Sequence, residues 1–278
     1  MAASQKDKAL AFRALHERPG CFVIPNPWDA GTARLLTSLG FEALATTSAG
    51  LAFALGRRDG AAAVSREEAL ANARAIVAAT ALPVSADLEG GYADDPEGVA
   101  ETIRRAAETG LVGGSIEDAR PTGGDPIYDF GLAVERAAAA VEAARALPFP
   151  FVLTARAENF LHRRADLEDT IRRLQAFQEA GADVLYAPGL QSRADIEAVV
   201  AALDRPLNVV MGLKGAKLTL QELAEIGVKR VSLGSALSRA ATGAFLRAAR
   251  EVKEQGSFTF AEDAVSFAEI NSVFGGPA

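Results

Sequence analysis

Cysteine is almost missing from this chain. Cys21 is the only one in 278 residues, so no intrachain disulfide can form, and a reducing, cytoplasmic setting is the default expectation. Histidine is nearly as scarce, with only His16 and His162, which argues against a zinc site built on His and Cys. No apolar run comes near the roughly 18 residues that a membrane-crossing helix needs. The first residues, Met1-Ala2-Ala3-Ser4-Gln5-Lys6-Asp7-Lys8, carry no apolar core of a secretory leader. A basic excess is lacking too: 29 Lys and Arg stand against 36 Asp and Glu, for a formal net charge of -7. Nucleic acid and anionic membranes both want a basic face, so neither is an expected partner. A local anion site stays compatible with that balance.

Hydrophobic residues make up 49% and charged residues 23%. That is an ordinary globular balance, in a chain long enough to bury a large core without staples. Short apolar runs alternate with amphipathic stretches. A first helix is expected at 5–17, with Leu10, Phe12 and Leu15 turned inward. Strands are expected at 21–25, 41–47, 84–87, 114–117, 151–155, 183–186, 207–210 and 230–233. Helices are expected at 30–39, 66–80, 96–109, 132–146, 167–180, 193–203, 219–226 and 236–254, with a longer loop over 48–64. Asp29 is placed to cap the helix at 30–39, and Ser65 with Glu68 forms a capping box for the helix at 66–80. Gly40, Gly110, Gly181 and Gly227 each end a helix just before a strand, where a left-handed residue is needed. Eight strand–helix units in sequence point to an α/β fold, a (β/α)8 TIM-type barrel in a single domain over 1–278. The rival is an open doubly wound sheet, which usually carries a Gly-rich phosphate turn after its first strand. Here Pro25-Asn26-Pro27-Trp28 stands in that place, with no glycine before Gly31. A C-terminal extension over 256–278, with a helix at 261–271, must pack outside the barrel or on a neighbouring chain.

In such a barrel the chemistry sits where strands end. The polar residues there are Thr46, Thr47 and Ser48; Asp87 and Glu89; Ser115, Glu117 and Asp118; Arg156 and Glu158; Tyr186; Asn208; and Ser232 and Ser235. Carboxylates crowded in a partly dry mouth repel, and a divalent cation is the usual remedy. All-oxygen ligands suit Mg2+ or Mn2+. Strand residues i and i+2 share a face, so Asp87 and Glu89 could both point into the mouth. Glu117 would join from the adjacent strand, and Arg156 from the next could clamp a carboxylate. Plainer readings stand beside these. Asp87 and Glu89 could cap the next helix, and Arg156 could be a structural partner of Glu117 or Glu158. Asn208 could contact substrate or satisfy local backbone. Trp28 could wall the pocket or simply pack. His162 could reach the mouth or lie in a solvated loop. Cys21 reads as a core residue.

Five stretches resemble the isocitrate lyase / phosphoenolpyruvate mutase superfamily, over nearly the whole chain. They are Thr47-Ser48-Ala49-Gly50, Leu55-Gly56-Arg57-Arg58-Asp59, Ala86-Asp87-Leu88-Glu89-Gly90-Gly91-Tyr92, Ser115-Ile116-Glu117-Asp118 and Ala155-Arg156-Ala157-Glu158. The usual Asp-x-Asp-x-Gly-Tyr pattern appears with Glu89 for the second Asp. The resemblance implies that Asp87 binds Mg2+ directly, while Asp59, Glu89 and Glu117 hold its water ligands. It implies that Thr47, with the backbone N–H groups of Ser48 and Ala49, cradles the carboxylate of a 2-oxo acid, and that Arg156 balances charge. It also implies a shared enolate, stabilised by the metal and these donors. Oligomers are implied as well, commonly tetramers whose eighth helix swaps onto a neighbour.

Within that family the loop after the fourth strand separates activities. Lyases acting on isocitrate and methylisocitrate carry Lys-Lys-Cys-Gly-His there, and the phosphonate enzymes a Lys-Thr-Asn-like motif. This chain has Asp118-Ala119-Arg120-Pro121-Thr122-Gly123-Gly124-Asp125-Pro126-Ile127-Tyr128-Asp129, without Cys, Lys, His or Asn. Retro-aldol cleavage needs both a base and an acid. Decarboxylation of oxaloacetate needs only chelation and enolate stabilisation, since solvent can supply the proton. The expectation is a Mg2+-dependent carbon–carbon lyase of oxaloacetate decarboxylase type, with Arg156, Asp59 and Tyr128 as catalytic candidates and Asn208 as a substrate contact. The alternatives are a lyase of methylisocitrate or dimethylmalate type using Tyr128 or a water as acid, phosphonopyruvate-type C–P chemistry, and a metabolite-binding protein on the same scaffold.

Overall fold

The computed structural model describes residues 3–120, 123–213 and 215–276. In chain order the elements are α1 (Gln5–Glu17), β1 (Phe22–Ile24), α2 (Ala30–Ser38), β2 (Leu44–Ala45), α3 (Ser48–Ala54), α4 (Arg66–Ala78), β3 (Val84–Asp87), α5 (Pro96–Ala107), β4 (Gly113–Glu117), α6 (Phe130–Arg145), β5 (Val152–Arg156), α7 (Leu167–Glu179), β6 (Val184–Tyr186), α8 (Arg193–Ala201), β7 (Leu207–Val210), α9 (Leu220–Ile226), β8 (Arg230–Ser232), α10 (Ala236–Gln255), a 3-10 turn (Thr259–Asp263) and α11 (Phe267–Gly275). All eight strands run parallel, in the order β1-β8-β7-β6-β5-β4-β3-β2. The seam between β1 and β2 is closed at the rim. Ala45 N–H donates to the Pro25 carbonyl at 3.0 Å, and the Asn26 amide donates to the Thr46 carbonyl at 2.9 Å. Pro25 and Pro27 lack the N–H groups that a longer ladder would use. The fold is the expected α/β barrel of TIM type.

Local sequence explains most boundaries. Asp29 accepts from Thr32 N–H to start α2, and Ser65 and Glu68 form their capping box on α4. Gly40, Gly110, Gly181 and Gly227 all have φ between 83° and 102°, the left-handed exit that ends a helix. Two expectations fail. The segment after β2 is not all loop: Thr47 caps the short helix α3 by accepting from Gly50 N–H at 3.2 Å. The tail helix does not span 261–271, because Ser266 caps a later one, α11.

The core lies between barrel and helices, and a separate cluster closes the barrel floor. There α1 places Phe12 and Leu15 against Phe22, Ile24, Val112, Val152 and Val184. Leu10, expected inside, is 41% exposed, while Ala9 and His16 are buried in its stead. Among the described residues no helix is long and apolar enough to cross a membrane.

One row of paired residues positions the site. Glu117, Arg156, Tyr186, Asn208 and Arg230 are successive in-register partners on β4, β5, β6, β7 and β8. Register partners on parallel strands point to the same face. The row begins on the last residue of β4 and ends on the first of β8, so it runs from the barrel mouth to its floor.

Candidate active site at the barrel mouth

A cavity of about 300 Å³ opens at the C-terminal ends of the strands and reaches down to Arg230. Thr47, Ser48, Ala49, Asp59, Asp87, Arg156 and Asn208 all line it, so seven of the expected site residues meet in one place. Glu89 and Tyr128 line a neighbouring cavity of about 440 Å³ between the 62–67 segment and the end of β3. Glu117 lines neither of these two and stands against Arg156.

Arg156 organises the mouth. Its Nη1 donates to Asp87 Oδ1 at 3.0 Å, its Nε to Glu158 Oε1 at 2.8 Å, and its Nη2 pairs with Glu117 Oε2 at 3.0 Å. The structural partnership with Glu117 and Glu158 is therefore real, and it coexists with a position on the cavity wall. Asp87 also accepts from Ser48, whose hydroxyl lies at 2.8 Å and whose N–H at 3.3 Å, both to Oδ2. Thr46 Oγ1 accepts from Asp87 N–H at 3.0 Å. The carboxyl end of β3 is thus fixed from β2, α3 and β5 at once.

Glu89 departs from the alternation expected of it. The strand ends at Asp87, and Glu89 takes φ 49° with its N–H donating to Asp87 Oδ1 at 3.3 Å. Gly91 and Tyr92 are left-handed as well, at 79° and 54°. Gly90 is needed between them because a Cβ would meet the Ala119 carbonyl at 2.9 Å. The period-of-two rule stops where the backbone turns, so Glu89 reaches the rim from outside the barrel. Non-glycine residues held at positive φ cost energy and gather at functional sites.

The charges are unbalanced. Asp87, Glu117 and Glu158 pair with Arg156, and Asp59 and Glu89 feel its charge without pairing with it. Burial, then the Asp87 and Asp59 charges, push the Glu89 carboxyl up to about 7. Burial and Asp87 raise Asp59. Burial also lifts Glu117 well above the usual range, although Arg156 opposes it. Among the described residues no three His, Cys, Asp or Glu are arranged to chelate a metal by themselves. Mg2+ keeps several waters and needs few direct protein ligands, so a surplus of desolvated carboxyl oxygens beside one water-accessible Asp fits that ion.

Tyr128 does not reach the barrel cavity. It is 2% exposed, its hydroxyl donates to Asp94, and its ring is held between Arg136 at 4.0 Å and Arg120 at 4.7 Å. The loop that carries it returns on itself through a bridge between Ala119 and Ile127; Pro121 and Thr122 lie outside the described residues. Asp118 starts this loop as a buried anchor, accepting from Glu158 N–H at 2.8 Å and Arg173 Nη1 at 3.1 Å. Burial lifts its carboxyl to about 6, with those two donors opposing.

Asn208 is engaged below the mouth. Its Oδ1 accepts from Arg230 Nε at 2.8 Å, and its Nδ2 donates to Ser232 Oγ at 3.0 Å. Arg230 escaped the sequence reading because it opens a strand. It is 5% exposed, donates to Thr154 Oγ1 at 2.9 Å and lies 3.3 Å from His16 Nε2. Its guanidinium has no carboxylate partner among the described residues, and burial lowers its pKa to about 10. Trp28 lies elsewhere, on an outer cavity with Phe53, Thr242 and Phe245. Cys21 is half-buried, and burial pushes its thiol up to about 11.

Residues 12–253 match the family described as phosphoenolpyruvate phosphomutase. A Mycobacterium tuberculosis protein of uncharacterised function is 33% identical over 250 residues, which is 88% of this chain and 90% of that one. An oxaloacetate decarboxylase of Bradyrhizobium diazoefficiens is 30% identical over 208 residues, 71% of each chain. A crystal structure from Burkholderia cenocepacia J2315, described only in general terms as a lyase/mutase, superposes with a TM-score of 0.95 at 61% identity, covering 98% of this chain and 97% of that one. The barrel, its acidic mouth and these likenesses agree: the chain belongs to the phosphoenolpyruvate phosphomutase family, whose enzymes work on carbon–carbon and carbon–phosphorus bonds.

Proposed function

We propose that this enzyme is a lyase of small 2-oxo carboxylates, of the oxaloacetate decarboxylase type. The observation that carries the reading is the pairing of an acidic, Arg156-centred cavity of about 300 Å³ with a β4 loop whose tyrosine is tied to Asp94. Retro-aldol cleavage would require a base for the hydroxyl as well as an acid for the carbanion, whereas the carbon–carbon bond of an oxo diacid breaks with loss of CO2 without either. The cavity volume lies at the small end for ligand sites, which suits a four-carbon acid. The likeness to a decarboxylase over 71% of the chain supports the same choice.

Asp87 would hold Mg2+ directly, with Asp59, Glu89 and Glu117 through water, and the bound ion would supply Lewis acidity at the 2-oxo group. The chain's own parts do the rest. Thr47, Ser48 and Ala49 line the cavity at the start of α3, where the Ala49 N–H, beside a Ser48 N–H turned to Asp87, would favour a carboxylate. Arg156 pairs with both Asp87 and Glu117 and opposes the rise that burial imposes on Glu117. Asn208, held by Arg230, presents a fixed polar floor. The test is Mg2+-dependent pyruvate release from oxaloacetate, methylisocitrate, dimethylmalate and phosphonopyruvate. Oxaloacetate should dominate, and Asp87→Ala should lose at least about 100-fold. Full activity in that variant would refute the site. Preference for another member of the panel would refute the reaction, and stabilisation by Mg2+ plus oxalate with no turnover would mark a binding protein.

The same reading includes self-association. Of fourteen large apolar side chains left exposed among the described residues, eight lie between Phe245 and Phe274, on α10 and the tail. Such a concentration is a surface that a second copy of the chain would cover.

A further inference from the structure

Tyr186 ends β6 and stands in the register row between Arg156 and Asn208. It walls the barrel cavity, and the Arg156 guanidinium lies 5.0 Å from its ring centroid. Its neighbours in the row are fully committed: Arg156 to three carboxylates, Asn208 to Arg230 and Ser232. The Tyr186 hydroxyl makes no hydrogen bond to protein among the described residues, and it is not one of the buried, unpartnered polar atoms sealed in the interior. The Ser232 hydroxyl, whose oxygen already accepts from Asn208, is near enough to lower the phenol's pKa. A phenol whose one near polar neighbour is a serine hydroxyl, on the wall of a small cavity, is available to whatever fills it. The other hydroxyls of that wall all belong to serine and threonine side chains, which are far weaker acids. From the β4 loop nothing described competes, since Tyr128, Asp118 and Asp125 are bound to Asp94, Arg173 and Arg164.

We propose that Tyr186 donates the proton that completes the reaction at the substrate carbon, an inference that rests on the decarboxylase reading above. When the bond between C3 and the departing carboxylate breaks, CO2 leaves and the electron pair enters the C2–C3 enolate. The enolate pair at C3 then takes the phenol proton. The O–H electrons remain on oxygen as phenolate, and cavity water returns a proton to it. Burial keeps the phenol protonated at rest, while the Arg156 charge opposes that shift and stabilises the transient phenolate.

Tyr186→Phe removes one oxygen and keeps the ring beside Arg156. The readout is Mg2+-dependent exchange of pyruvate methyl protons in D2O, which runs the same transfer in both directions, beside oxalate binding measured by calorimetry. Oxalate resembles the enolate but accepts no proton on carbon. The expected result is exchange by the native enzyme and a loss of about 100-fold in the variant, with oxalate affinity within about twofold. Exchange undiminished in the variant, absent from the native enzyme, or lost only together with oxalate affinity would each overturn the proposal. Failure of the decarboxylase reading looks different: no CO2 from oxaloacetate, with exchange still dependent on Tyr186.

Discussion

Glu89 offers a measurement that separates electrostatics from packing. Burial and the neighbouring Asp87 and Asp59 push its carboxyl up to about 7 in the folded protein, from 4.5 in an unperturbed chain. A raised folded pKa means that the folded state binds more protons than the unfolded state between those two values, so stability is present at low pH and falls as pH rises. At about 1.4 kcal/mol per unit, the penalty is under about 1 kcal/mol near pH 5 and grows to about 3 kcal/mol near pH 8. Partial exposure to cavity water makes that the upper end. Glu89→Gln cannot ionise and escapes the penalty. In chelator, urea unfolding should show the variant gaining about 2 kcal/mol on the native protein between pH 5 and pH 8. Any fixed effect of the amide on packing cancels in that difference. Saturating Mg2+ at pH 8 should stabilise the native protein by an amount set by mass action, about 2.7 kcal/mol at a hundred times Kd, and the variant by less. A stability difference that does not change with pH would refute the placement of Glu89 in a crowded, desolvated rim.

Arg156→Gln should cost about 3–5 kcal/mol near pH 8, because it strands Asp87, Glu117 and Glu158 in one buried cluster. The loss should shrink as pH falls, since Arg156 opposes protonation of Glu117 and Glu158; a cost that grew on acidification would contradict this. Thr219→Ala removes the capping box of α9, which lies away from the cavity. It should cost about 1 kcal/mol in a melting experiment and leave kcat unchanged. Phe245→Asp puts a charge on a side chain that is 70% exposed on α10. It should shift the protein to a monomer by light scattering, and an unchanged mass would remove α10 from the interface.

What the sequence disclosed follows from where signals are local. The strands over Val84–Asp87 and Leu207–Val210 stand where the apolar runs place them, and caps such as Asp29 and Ser65 bind the N–H groups that their spacing demands. Short-range chemistry fixes these elements, so one window of sequence is enough. Three features were hidden for physical reasons. The helix α3 has a glycine third in its run, which reads as a loop breaker. Packing demands it, since a Cβ there would meet Thr47 Cγ2 at 2.6 Å and Trp28 Cβ at 3.0 Å. Tyr128 stands in a loop beside the mouth in sequence terms, yet Asp94 and two arginines hold it in the adjoining cavity. Arg230 sits at the wrong end of its strand for the strand-end rule, and only the register brings it beneath Asn208.

That register also bears on how an acidic mouth admits an anion. Arg156 is the cation nearest the rim, but three carboxylates already share it, so the rim on its own repels a dicarboxylate. Arg230, at the far end of the same row, has no carboxylate partner among the described residues and keeps its charge, because even a pKa lowered to about 10 lies well above neutrality. Its hydrogen bonds go to Asn208 and Thr154, neutral groups that orient their dipoles without cancelling it. Buried charge is screened weakly, so the floor of the cavity is positive while its rim is negative. A cation bound at Asp87 would offset the rim, and the field between rim and floor would then favour an anion inside. The polarity is built from chain positions 117, 156, 186, 208 and 230, one residue from each of five strands. No contiguous motif records it, and it exists only once the barrel has closed.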